Sequence, residues 1–179
     1  CTHHGRTPPC VDAILEAGVA RVVVGALDPD PRVSGRGVAQ LREAGVEVIT
    51  GIEEPAVVEN DPGYFHHRTT GRPLVTLKLA LTLDGQAAAA DRTSQWITGP
   101  GARLDAHHLR ADNDAVLVGI GTVIADNPRL DVRIEGFAGP QPQPIVVTGT
   151  RTLPSDAAIV ERGPIVFTCD ERAVPQLQD

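Results

Sequence analysis

The amino terminus, Cys1-Thr2-His3-His4-Gly5-Arg6-Thr7-Pro8-Pro9-Cys10, carries two thiols and two imidazoles within ten residues. Zinc takes thiolate and imidazole ligands tetrahedrally, and a catalytic zinc keeps one position for water. The spacing matches no standard two-Cys finger, so the residues alone read equally as a terminus that happens to hold Cys and His. With Pro8-Pro9 before an apolar-periodic run, Cys10 falls at a predicted helix start, where the helix dipole favours a thiolate. A second group lies further along: Lys78, Ser94, Trp96, Arg110, Asp126 and Arg133. Arginine can grip a phosphate bidentately, an indole can stack on a flat heterocycle, and an ammonium can polarise an oxygen. Taken singly, each has a plainer reading: a solvated Arg, a core Trp, a Ser cap, an Asp turn former.

Gly119 and Gly121 follow the apolar run Asp114-Ala115-Val116-Leu117-Val118. Glycines at a strand end let backbone N–H groups come close to a phosphate, and a helix start beyond adds its dipole. They do not form a GxGxxG pattern, and tight turning explains them as well.

The elements that would position these groups are α/β in character. Val11 to Ala17 reads as a short helix stopped by Gly18, and Arg21 to Gly25 as a buried strand. Val38 to Ala44 reads as a helix ended by Gly45, and Val46 to Thr50 as a second strand, which implies parallel pairing through a crossover. Glu53 to about His67 is predicted helical, with an interruption at Asp61-Pro62-Gly63. The polar run Arg68 to Pro73 is the expected boundary, giving domains 1–70 and 71–179. Leu74 to Leu81 then reads as a β-rich segment, with a tight turn at Asp84-Gly85. Ala102 to about Ala111 is predicted helical and Asp114 to Gly119 a strand. Val123-Ile124-Ala125 is a short helical piece. Ile145 to Thr148 and Pro164 to Thr168 complete the strands, and Gly136 to Pro144 is a Pro/Gly-rich loop.

Composition narrows the partners. The 179 residues carry a formal net charge of −7, which argues against binding a nucleic-acid backbone. Lys78 is the single Lys among 16 basic residues. The longest uncharged apolar run, Ala115 to Ala125, is far short of the roughly 20 residues a membrane span needs, and no secretory signal opens the chain. A cytoplasmic location is expected. With only 3 Cys, reduced metal chemistry suits Cys1 and Cys10 better than a disulfide framework. A start at Cys and the lack of any Met suggest a fragment or an incomplete gene product.

Cys1-x-His3-x-Gly5-Arg6-Thr7-Pro8-Pro9-Cys10 resembles the second zinc motif of the pyrimidine deaminases of riboflavin biosynthesis, and Val24 to Gly37 resembles a later part of that domain. Lys78 to Gly85, Ser94 to Thr98, His108 to Ala111 and Asp114 to Arg133 together resemble the reductase half of the same bifunctional deaminase/reductase family. The resemblance implies the C-terminal part of a cytidine-deaminase-like domain followed by the N-terminal part of a dihydrofolate-reductase-like domain. It implies Cys1 and Cys10 as Zn²⁺ ligands, with His3 and His4 not ligating and the family's His-x-Glu absent from this chain. It implies NADPH contacts at Ala80, Trp96, Thr122 and Asp126. The phosphoribosylated pyrimidine would meet Ser94, Arg110, Leu130 and Arg133. Lys78 would be catalytic at the reacting end of the substrate, oriented by Asp126. The implied reaction is NADPH-dependent reduction of 5-amino-6-(5-phosphoribosylamino)uracil, coupled in the parent enzyme to zinc-dependent deamination of its precursor. Two other readings stay open: a reductase with a vestigial deaminase part, and a non-catalytic nucleotide- or metal-binding module. An exposed edge strand would favour a homo-oligomer.

Overall fold

The structure is a computed structural model that describes residues 2, 7–91, 93–94 and 96–170. It divides into two compact units, Cys1–Leu77 and Lys78–Asp179.

In the first unit, helix α1 (Cys10–Glu16) leads through Gly18, at φ 62°, into strand β1 (Arg21–Val24). Helix α2 (Arg36–Glu43) then carries the chain over to β2 (Glu47–Thr50), which pairs with β1 in parallel, Arg21 opposite Glu47. Val11, Leu41, Val46 and Val48 form the core beneath these elements. Helices α3 (Glu54–Asn60) and α4 (Pro62–Thr70) follow. The break between them has a local cause. The Asp61 side chain accepts the Tyr64 N–H at 3.2 Å, Pro62 takes the first helical position, and Gly71 ends α4 at φ 70°.

A polar cluster fixes the loop before α2. Buried Asp30 receives the Arg32 guanidinium at 2.6 Å and lies 3.5 Å from Arg68 of α4. The Arg32 side chain, then its backbone N–H, hold the Asp30 carboxyl well below the usual carboxylate range. Tyr64 donates its hydroxyl to Asp28 at 2.8 Å, and Arg68 lies over the Tyr64 ring.

The second unit is built on three parallel strands, β3 (Ala115–Gly119), β4 (Gln143–Val147) and β5 (Ile165–Phe167), in the order β3-β4-β5. Helix α5 (Pro100–Ala111) precedes β3, α6 (Ile120–Asp126) follows it, and a single 3₁₀ turn (Val160–Arg162) precedes β5. Val146 and Ile159 are 0% exposed and Leu153 1%, packed with Ile120, Val123 and Leu130. Each such side chain contributes roughly 1.5–3 kcal/mol relative to an exposed one.

The expected β-rich segment, Leu74 to Leu81, differs from its reading. No ladder forms there, and Val75 is 82% exposed. Alternation and β-branching suit a pleated surface only when a neighbouring strand supplies hydrogen bonds and cross-strand contacts, and none of the described strands does. The helical piece expected at Val123 to Ala125 is longer, because the helix starts at Ile120 immediately after β3.

Candidate functional site

Helix α5 sets the frame of the site. Arg103, Ala106, His107 and Arg110 stand at i, i+3, i+4 and i+7, one stripe of a helical surface. All four line a cleft of about 380 Å³. Pro100 at the first turn starts the helix, and Arg110 sits in its last turn, where a cation suits the exposed carbonyls. Arg110 is half-buried. Burial first, then the nearby charge of Arg133, lowers its pKa from the ordinary arginine value.

Further lining comes from Asp126 at the end of α6 and Arg133 in the loop after it. Asp126 is the last residue of α6, which Asn127 closes at φ 41°. Residues 127–133 are held at several points. Ala158 N–H donates to Asn127 Oδ1 at 2.8 Å. Arg129 pairs with Glu161 at 2.9 Å and with Asp131 at 3.4 Å. The Gln141 side chain brackets Val132, accepting its N–H at 2.7 Å and donating to its carbonyl at 3.2 Å. Arg162 donates to the Arg129 carbonyl at 2.9 Å. Leu130 takes the left-handed region, φ 55°, with its side chain in the core. A bulky residue there costs about 1–2 kcal/mol, and the surrounding bonds and packing hold it in place.

The remaining wall holds Lys78, Ala80, Ser94 and Trp96. The Trp96 ring is 69% exposed, and the Arg103 guanidinium lies 4.3 Å from its centroid. Arg103 also donates to the Thr98 carbonyl at 2.9 Å. Four cationic side chains, Lys78, Arg103, Arg110 and Arg133, thus face the cleft against one lining carboxylate, Asp126. In a chain of net charge −7, that concentration marks a site for an anion.

Seven of the residues nominated from sequence meet at this cleft: Lys78, Ala80, Ser94, Trp96, Arg110, Asp126 and Arg133. Two do not line it. Thr122 is exposed on α6, and the Leu130 side chain is buried. Arg103 and His107 were not nominated, although their helical spacing from Arg110 was a signal for both. Gly119, the residue before α6, has an ordinary φ of −76°. A Cβ at Gly119 or Gly121 would meet nothing within 4 Å. Neither backbone conformation nor protein packing therefore demands glycine there, and the open space leaves room for a ligand to approach the backbone. Separately, the exposed indole of Trp96 offers a flat face in the cleft on which a heterocycle could stack.

Of the zinc donors, Cys10 is the exposed first residue of α1, whereas Cys1, His3 and His4 lie outside the described residues. No group of three or more His, Cys, Asp or Glu converges among the described residues. Cys10 by itself is one thiol of the four-ligand set that a zinc ion takes, so the described donors alone do not hold the ion.

An α/β unit with a parallel sheet and a cationic cleft lined by α5, Asp126 and Arg133 is the class of protein these observations define. Residues 73–179 match the family model for the RibD C-terminal domain, and the chain belongs to that family. It is 42% identical to the riboflavin biosynthesis protein RibD of Chlamydia muridarum, over 100% of this chain and 50% of that protein. With the RibD of Aquifex aeolicus it is 50% identical, over 81% of this chain and 40% of the relative. The chain thus spans about half the length or less of these curated relatives. Among solved structures it resembles Acinetobacter baumannii RibD, with a TM-score of 0.90 and 38% identity over 100% of this chain and 54% of the other. It also resembles the diaminohydroxyphosphoribosylaminopyrimidine deaminase/5-amino-6-(5-phosphoribosylamino)uracil reductase of Thermotoga maritima, with a TM-score of 0.88 and 40% identity over 98% of this chain and 50% of the other. These likenesses support the expected dihydrofolate-reductase-like part.

Proposed function

We propose that residues 71–179 are the N-terminal part of a reductase domain that acts in riboflavin biosynthesis on 5-amino-6-(5-phosphoribosylamino)uracil. The observation that carries this reading is the convergence of Lys78, Arg110, Arg133 and the exposed Trp96 ring on one cleft. Arg110 and Arg133 hold the ribose phosphate, with Ser94 and the Leu130 backbone beside it. Ala80, Trp96, Thr122 and Asp126 hold NADPH. The cofactor, when bound, supplies the hydride that reduces the ribose to a ribityl chain. Lys78 carries a proton on Nζ and polarises the ribose oxygen at the reacting carbon, while Asp126 orients that ammonium. The protein's part is position and charge.

Residues 1–70 are, in this proposal, the C-terminal part of a cytidine-deaminase-like domain, with Cys1 and Cys10 as two zinc ligands and deamination of the pyrimidine precursor as its reaction. Their likeness to RibD supports that assignment. The proposal includes a cytoplasmic location and self-association through open sheet edges, which β3 and β5 present among the described strands. No helix among the described residues is long and apolar enough to cross a membrane.

The test is turnover by the full-length protein with NADPH and the phosphoribosylaminouracil, with NADPH affinity measured separately by calorimetry. Ribityl product and saturable NADPH binding are expected. Saturable binding without product would leave only a nucleotide-binding module.

A further inference from the structure

His107 occupies the middle of the α5 stripe, between the two arginines assigned to the phosphate. Its Nδ1 accepts the Arg133 backbone N–H at 3.2 Å and lies 3.4 Å from Arg110 Nη1. A backbone amide and a guanidinium can only donate. Two donors facing the same ring nitrogen require a lone pair there, which leaves the proton on Nε2. We propose that His107, as the neutral Nε2–H tautomer, is a positioning residue that sets the separation of Arg110 and Arg133 and so tunes the grip of the site on the substrate phosphate. This rests on the anion-site reading given above.

The surroundings agree. Arg110 also donates Nη1 to the Asp131 carbonyl at 3.1 Å, and Arg133 is held by the Asp131 carboxylate at 2.6 Å. Helix α5 and the 131–133 loop are therefore joined at His107 and at Asp131. The charged groups around the imidazole are Arg110 on its own helix and Arg133 and Asp131 on the loop; Arg103, Lys78 and Asp126 line the same cleft. Burial, then Arg110 and Arg133, push the imidazole below its ordinary value, while the Asp131 backbone and carboxylate pull it the other way. Protonation would place an N–H against two donors and release the Arg133 amide, leaving the bond from Arg110 to the Asp131 carbonyl as the remaining tie between α5 and the loop.

Two measurements on the full-length protein test this. Nitrogen-15 NMR of labelled histidine should show Nδ1 unprotonated and Nε2 protonated at neutral pH; a proton on Nδ1 overturns the proposal without any variant. In kinetics, His107→Leu should raise KM for the phosphorylated substrate about tenfold, the scale of one lost hydrogen bond, with kcat within about twofold. His107→Gln, whose amide oxygen can accept the Arg133 N–H, should recover most of that loss. As pH falls through the imidazole range, KM should rise more steeply for the natural protein than for His107→Gln, because titration of the substrate phosphate is common to both. An unchanged KM in His107→Leu, or equal loss in the two variants, overturns the role. Arg133→Ala separates the two ideas. If it too leaves KM unchanged, the anion-site reading fails; if it raises KM while His107→Leu does not, only the role of His107 fails.

Discussion

Arg110 donates Nη1 to the backbone carbonyl of Asp131 at 3.1 Å, so the helix that carries one of the two arginines proposed for the phosphate is fastened to the loop that carries the other. The same guanidinium must both hold the loop and face the cleft. Its planar fork of donors allows this; an ammonium offers no such geometry. Arg110→Lys should therefore raise KM for the phosphorylated substrate by about tenfold to a hundredfold, the effect of one to two charge-assisted hydrogen bonds. Steady-state kinetics over a range of substrate concentration gives the answer, and an unchanged KM would remove Arg110 from the phosphate site.

Lys78 is assigned to the reacting end of the substrate. Lys78→Ala should lower kcat by about a hundredfold or more, the usual scale for a positioned proton-bearing group, with NADPH affinity within about threefold by calorimetry. Turnover at the natural rate would show that Lys78 has no catalytic part.

Ile159, 0% exposed, packs in the core that supports β4. Ile159→Ala should destabilise the protein by about 2–5 kcal/mol, through lost transfer energy and the cavity left behind. Denaturant unfolding reads this directly. A loss below about 1 kcal/mol would mean that the site collapses without strain.

The Asp30 carboxyl is held below its ordinary range by Arg32 and Arg68. A depressed carboxylate pKa in the folded state stabilises above the unfolded value of about 4, and the contribution declines as pH falls below that. Asp30→Asn should thus lower Tm at neutral pH, and the difference from the natural protein should shrink as the pH is taken below about 4. Thermal scans across this range would disprove the linkage if the gap were constant.

Much of the architecture could be read from local pattern. Pro and Gly punctuation marked α1, α2 and the break at Asp61, because these signals act through the residue's own backbone and its nearest neighbours. The β-branched runs marked β1 through β5 for the same reason. Leu74 to Leu81 failed, because a strand also needs partners that no local pattern supplies. The site divides along the same line. Arg110, Arg133, Lys78 and Trp96 were legible as chemical types in order. The burial of the Leu130 side chain was not, since it follows from a left-handed turn fixed by distant bonds from Ala158, Arg162 and Gln141. His107 acquires its role only by meeting the amide of Arg133, 26 residues away.

Trp96, the sole tryptophan of the chain, lies in the cleft with Arg103 stacked on its ring. Its emission is therefore an optical reporter placed where ligands would enter. A reduced nicotinamide absorbs in the region where indole emits, so a bound dinucleotide would quench this fluorophore by energy transfer, while an anion that draws Arg103 away would change its emission without that quenching. One side chain can thus distinguish the two kinds of occupant in solution without a label.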